Sequence, residues 1–128
     1  MGAVLVVDDD PDGCEAVTLA LRKSGQAVRI APNGREALAA LIDAPTPDVV
    51  VLDVRMPEMD GLQFLEVIRS YLRWSHLPVV LLTAFADRPV IDRAQELGVN
   101  HVFMKANYQL SALLACIEQL ASKPRRNA

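Results

Sequence analysis

Asp53 closes the apolar run Val49-Val50-Val51-Leu52, and Asp8 and Asp9 close a second run, Val4-Leu5-Val6-Val7. If both runs are neighbouring strands of a parallel sheet, their carboxyl ends lie side by side and three carboxylates converge on one small volume. Two like charges about 4 Å apart repel by roughly 4 kcal/mol at an effective dielectric near 20, so the cluster is unfavourable unless a cation or a proton relieves it. Carboxylate oxygens without His or Cys ligands select Mg2+, or Mn2+, over zinc, and a site with few protein ligands has room for water and an incoming phosphate. With the repulsion relieved, a carboxylate can attack phosphorus and form an aspartyl-phosphate. Thr83 and Lys105 end two further apolar runs; their hydroxyl and ammonium groups could bind phosphoryl oxygens by hydrogen bond and charge.

The elements that must bring these residues together are legible as five short apolar runs alternating with helix-period segments, the sign of a parallel sheet covered on both faces. Strands are predicted near 3–7, 27–31, 48–53, 78–83 and 100–104. The first, third and fourth are continuously apolar, as buried central strands are, whereas Gln26-Ala27-Val28-Arg29-Ile30 alternates and His101-Val102-Phe103-Met104 is mixed. The second and fifth strands are therefore the edges. The expected fold is α/β, a flavodoxin-like doubly wound five-stranded parallel sheet of order 2-1-3-4-5 with five helices. Such sheets bind ligands beyond the carboxyl ends of strands 1 and 3.

Helix signals fit between the strands. Asp10-Pro11 opens the first helix and Gly25 closes it. Asn33 followed by Glu36 resembles a capping box. The third helix begins near Leu62 and should bury Phe64, Leu65, Ile68 and Leu72; the fourth runs from about Pro89 to a C-cap at Gly98. The last carries an apolar stripe of Leu110, Leu113, Leu114, Ile117 and Leu120 that reads as core. Asp60-Gly61 reads as a turn and helix start, and Asp10 as a capping residue. Cys14 and Cys116 read as reduced, buried thiols, His76 and His101 as surface or edge residues, and Trp74 as packing or a partner contact.

The chain has 128 residues, 52% hydrophobic and 23% charged, which is the size and content of one soluble domain with its own core. The net charge of −3 argues against a nucleic-acid or anionic-membrane surface. The cluster Lys123, Arg125 and Arg126 falls beyond the last helical pattern, so a domain over 1–122 with a tail over 123–128 is expected. Without a spanning apolar segment or a signal core, the expected location is cytoplasmic.

The motifs Val4-Leu5-Val6-Val7-Asp8-Asp9-Asp10, Asp53-Val54-Arg55-Met56-Pro57-Glu58-Met59-Asp60-Gly61, Pro78-Val79-Val80-Leu81-Leu82-Thr83-Ala84 and Lys105 together resemble a two-component response-regulator receiver domain over the chain up to about residue 122. Their joint order and spacing leave few competitors. The resemblance implies that Asp53 is the phosphoacceptor, that Asp9, Asp53 and the Arg55 backbone carbonyl ligate Mg2+, and that Asp8 acts largely through metal-bound water. Thr83 is then the switch hydroxyl, Lys105 the ion-pair partner, and the small Ala84 leaves access to the acceptor. The implied donor is a phosphohistidine on a sensor histidine kinase or histidine phosphotransfer protein. The implied readout surface is the fourth helix, fifth strand and fifth helix, toward an unidentified protein target, as a monomer or a phosphorylation-dependent dimer. A stand-alone regulator acting by protein contact is the simplest expectation, with a piece of a hybrid kinase or of a larger regulator as the alternative.

Three features depart from the family pattern or bear on rate. Ala106 stands where the family usually has Pro after a cis peptide; a cis bond costs a non-proline residue about 2.5–4 kcal/mol, so a trans Lys105–Ala106 bond is predicted. Val102 stands where an aromatic commonly couples to the switch hydroxyl. Phe103 is no substitute, because adjacent strand residues face opposite sides. The bulky Arg55 and Phe85, two residues beyond Asp53 and Thr83, read either as two exposed side chains or as flanks of the path of a hydrolytic water, the latter predicting slow self-dephosphorylation. Among other classes, a flavin carrier would need phosphate donors where Asp8-Asp9-Asp10 repels one. An aspartyl phosphatase would need an acid where Arg55 stands; a degenerate receiver acting as a phosphorylation-independent binding module is the alternative, opposed by the complete set of key residues and kept open by Ala106 and Val102.

Overall fold

The apolar runs become strands and the helix-period segments pack over them, as the periodicities require. A computed structural model describes residues 2–56, 58–84 and 87–122. The described strands are β1 (Ala3–Val7), β2 (Ala27–Ala31), β3 (Val49–Leu52), β4 (Val79–Thr83) and β5 (His101–Met104), each within one residue of its predicted bounds. The helices are α1 (Glu15–Lys23), α2 (Gly34–Asp43), α3 (Gly61–Arg69), α4 (Arg88–Glu96) and α5 (Leu110–Ser122). All strand pairs are parallel, in the order β2-β1-β3-β4-β5.

Alternation along the strands divides the core in two. Leu5, Val7, Val50, Leu52, Val79 and Leu81 meet Leu41, Phe64, Leu65, Ile68 and Ala94 from α2, α3 and α4. Val4, Val6, Val49, Val51, Val80 and Leu82 meet Val17, Leu21, Leu113 and Ile117 from α1 and α5. The central strands β1, β3 and β4 are buried on both sides, which is why their sequences are unbroken apolar runs. Val102 packs into the first cluster and Phe103 into the second, so the β5 aromatic does lie on the opposite side of the sheet.

Local chemistry sets the helix ends. Asn33 accepts from the Glu36 N–H, and Asp60 and Gln63 form a reciprocal capping box at the start of α3. Gly25 and Gly98 follow helix ends with φ of +95° and +79°. Asp10-Pro11 does not open α1 directly. Residues Pro11–Cys14 form a 3-10 turn, closed by the Gly13 N–H donating to the Asp10 carbonyl at 3.1 Å, and the α-helix starts afresh at Glu15.

Two burial expectations need correction. Leu72 is 71% exposed: α3 ends at Arg69, and residues Leu72–Trp74 form a 3-10 turn, so the four-residue phase from Ile68 is lost and Trp74, 5% exposed, enters the core instead. Cys116 is half-buried, whereas Cys14 is buried; neither is in a disulfide. The half-buried Arg69 guanidinium donates to the carbonyls of Leu97 (2.6 Å), Trp74 (2.9 Å) and Gly98 (3.3 Å), tying the ends of α3 and α4 together. Burial pulls its pKa below the ordinary arginine value.

No helix among the described residues is long and apolar enough to cross a membrane. In urea unfolding, Ile68→Ala should cost about 2–5 kcal/mol, as core truncations do, whereas Leu72→Ala should stay within about 0.5 kcal/mol of the unsubstituted protein. Comparable losses at both positions would contradict the observed end of α3.

Candidate functional site

Strand register is what gathers the carboxylates. Val7 pairs with Leu52, and the Asp53 N–H donates to the Val7 carbonyl at 2.9 Å, so Asp8 and Asp53 leave the sheet side by side. One oxygen each from Asp8, Asp9 and Asp53 lies within 4.8 Å of the others. Asp8 and Asp53 are buried and Asp9 is exposed, which opens the cluster to solvent on one side.

Both oxygens of Asp53 are engaged. The fully buried Thr83 hydroxyl donates to Oδ1 at 2.8 Å, and the Lys105 ammonium contacts Oδ2 at 3.2 Å. Lys105 also pairs with Asp8 Oδ2 at 2.7 Å. The fourth and fifth strands deliver these donors together because Thr83 pairs with Met104, immediately before Lys105. The Lys105–Ala106 bond is trans, since no described peptide bond is cis.

The electrostatics are those of an acidic, partly dry cluster. Burial pushes the Asp8 carboxyl above its ordinary value; hydrogen bonds from Lys105 and the Asp10 N–H pull against that rise, and the charge of Asp53 adds to it. For Lys105, burial is the largest single influence and lowers its pKa, but the hydrogen bond and charges of Asp8 and Asp53 together outweigh it and hold the ammonium above its usual range. Three carboxylates against one ammonium leave two uncompensated negative charges, the deficit that a divalent cation would cancel.

An open cleft of about 500 Å³ adjoins the cluster, bounded by Asp9, Val54, Arg55, Met56 and Asp60 and reaching Val90 of α4. Arg55 is exposed at this cleft, while Phe85, Pro57 and the basic residues Lys123, Arg125 and Arg126 lie outside the described residues.

Two glycines shape the site in ways that sequence reading missed. A Cβ on Gly61 would overlap the Asp53 carbonyl oxygen and meet the Val54 Cα at 2.9 Å, so α3 can start directly beneath Asp53 only with glycine there. A Cβ on Gly13 would meet the Asp10 carboxylate at 2.9 Å and the Lys105 ammonium at 3.3 Å. The Asp-Gly pair at 60–61 signalled a helix start, but nothing local signalled either close approach.

The sequence pattern of the response regulator receiver domain matches residues 4–118. The chain belongs to this family. Its receiver sequence is 38% identical over 102 residues to the uncharacterized 14.6 kDa protein in the sodA1 3' region of Leptolyngbya boryana, covering 80% of this chain and 77% of that one. It is 36% identical over 121 residues to the DNA-binding transcriptional regulator NtrC of Salmonella typhimurium, covering 94% of this chain. It is 49% identical over 81 residues, 63% of this chain, to the probable transcriptional regulatory protein TcrX of Mycobacterium tuberculosis. The matches span 25% of NtrC and 33% of TcrX.

Among solved structures, the receiver domain of a signal transduction histidine kinase from Syntrophus aciditrophicus superposes with a TM-score of 0.84 at 30% identity, covering 95% of this chain and 91% of that one. The chemotaxis protein CheY4 of Vibrio cholerae gives 0.82 at 29% identity, with 94% and 98% covered.

Because the carboxylates repel, removing one should strengthen the metal-free receiver. Asp9→Asn is expected to raise its stability in urea by about 1 kcal/mol, within the range of charge-optimising substitutions; a loss of stability would contradict the repulsion. Gly61→Ala should cost about 1–3 kcal/mol, as overpacking does, and shift the Asp53 amide resonance. An unperturbed Asp53 would contradict the close approach.

Proposed function

We propose that this receiver accepts a phosphoryl group on Asp53 from a phosphohistidine of a sensor histidine kinase or histidine phosphotransfer protein, with Mg2+ required and Mn2+ able to substitute. The observation that carries this reading is Asp53 itself: a buried carboxylate with a hydroxyl on one oxygen and an ammonium on the other, beside two further carboxylates. The functional unit spans 1–122, with 123–128 as its tail.

The donor set fits the cation. Asp9, Asp53 and the Arg55 backbone carbonyl would hold it, with Asp8 acting in its outer sphere, and all of these donors are oxygens. When bound, Mg2+ supplies positive charge that offsets the carboxylates and lets an anionic phosphoryl group approach.

The receiver's own residues do the rest. An Asp53 carboxylate oxygen attacks phosphorus, the P–N bond to the donor imidazole breaks, and the departing nitrogen takes the bonding pair and a proton. Ala84, small and exposed next to Thr83, leaves the acceptor accessible. Because Thr83 and Lys105 already hold the two Asp53 oxygens, phosphorylation requires them to exchange carboxylate oxygens for phosphoryl oxygens. That exchange draws on the segments after β4 and before α5, and biases a two-state surface formed by α4, β5 and α5.

Since Val102 offers no ring to couple to Thr83, displacement of α4 and the loop before it carries the change toward a protein target. Self-dephosphorylation is slow, with Arg55 flanking the path of water; replacing Arg55 and Phe85 by small residues should shorten the phosphoryl half-life. The protein acts in the cytoplasm, as a monomer or a dimer formed on phosphorylation, and it catalyses only its own modification.

Incubation with acetyl phosphate and Mg2+ followed by intact mass is expected to show one phosphoryl adduct, absent without Mg2+ and absent in Asp53→Asn. No adduct from acetyl phosphate or from a histidine kinase would favour a phosphorylation-independent binding module instead.

A further inference from the structure

The segment that follows Asp53 lines the cleft beside Asp9 through Val54, Arg55, Met56 and Asp60. At its far end Glu58 has φ of +67°, the one positive value at a non-glycine residue among those described. A side chain disfavours this region, and such a conformation persists where surrounding contacts impose it.

The contacts come from the start of α2, 25 residues away in sequence. The Asn33 amide nitrogen donates to Glu58 Oε2 at 3.3 Å and to Glu36 Oε2 at 3.3 Å, while its oxygen accepts from the Glu36 N–H at 2.9 Å. The neighbouring Gly34 N–H donates to the Met59 carbonyl at 3.1 Å, and a Cβ on Gly34 would meet that oxygen at 2.8 Å. Arg35 approaches Glu58 Oε1 at 4.0 Å, an exposed pair that adds little.

The choice of residue at 33 is informative. Ser and Asp would cap α2 about as well, but of the strong capping residues Asn alone combines the acceptor with an amide donor. Asn33 is also 6% exposed, so its donor is held in place, and Glu58 and Glu36 take it up.

We infer that Asn33 is a positioning residue for the metal site: by gripping Glu58 in its left-handed conformation, it fixes the loop that presents the Arg55 carbonyl and shapes the cleft beside Asp9. The inference rests on the Mg2+ site proposed above. It gives the start of α2 control over cation affinity.

The test is Mg2+ titration of the full chain by calorimetry, together with urea unfolding and amide exchange at residues 54–56. Glu58→Gly removes both the acceptor and the penalty for positive φ, so its metal-free stability should match or exceed that of the unsubstituted chain. Its Mg2+ affinity should nonetheless fall about fivefold and exchange at 54–56 accelerate. Asn33→Ser, which keeps the cap, should weaken Mg2+ similarly. Glu58→Gln keeps an acceptor for Asn33 while removing the charge, and should stay within twofold of the unsubstituted affinity.

If Glu58→Gly and Asn33→Ser bind Mg2+ as tightly as the unsubstituted chain, the positioning role is overturned and the metal site stands. If Glu58→Gln loses as much as Glu58→Gly, charge rather than the grip is responsible, and the inference is again overturned. If the unsubstituted chain shows no Mg2+ binding, the metal site and the positioning role fall together.

Discussion

Repulsion among Asp8, Asp9 and Asp53 is the constraint around which this receiver is built. Parallel register forces the first and third strands to end together, and the sequence places acids at both ends. Lys105 relieves part of the strain by reaching both Asp8 and Asp53, yet the cluster keeps an excess of two negative charges. A fold selected for stability alone would not keep that arrangement, and Asp8, whose carboxyl burial pushes upward, shows where the cost falls.

The rest of the molecule holds that cluster in place. The doubly covered central strands supply rigid ends, Gly61 lets α3 begin against the Asp53 backbone, and Gly13 makes room for the Lys105 ammonium. The far ends of α3 and α4 are joined by Arg69 through three carbonyls.

Much of this was legible in the sequence because its signals are local. Unbroken apolar runs marked the central strands, mixed runs marked β2 and β5 as edges, and polar residues at the run ends marked the cluster. Leu72 was misplaced because no Gly or Pro announces the end of α3; Ser70 closes it and the backbone tightens into a 3-10 turn. The grip of Asn33 on Glu58 and the close approaches of Gly13 and Gly61 were hidden for another reason. Each depends on segments that meet only in the folded chain, so Asn33 read as a cap and Gly61 as a turn residue.

The most direct measurement is urea unfolding of the full chain across a range of Mg2+ concentrations, set beside Asp53→Asn. A cation bound by the cluster should raise stability by about 1.4 kcal/mol for each tenfold increase in Mg2+ above its dissociation constant, and this rise should be lost or sharply reduced in the variant. Stability that stays flat with Mg2+, or that rises equally in Asp53→Asn, would contradict the account.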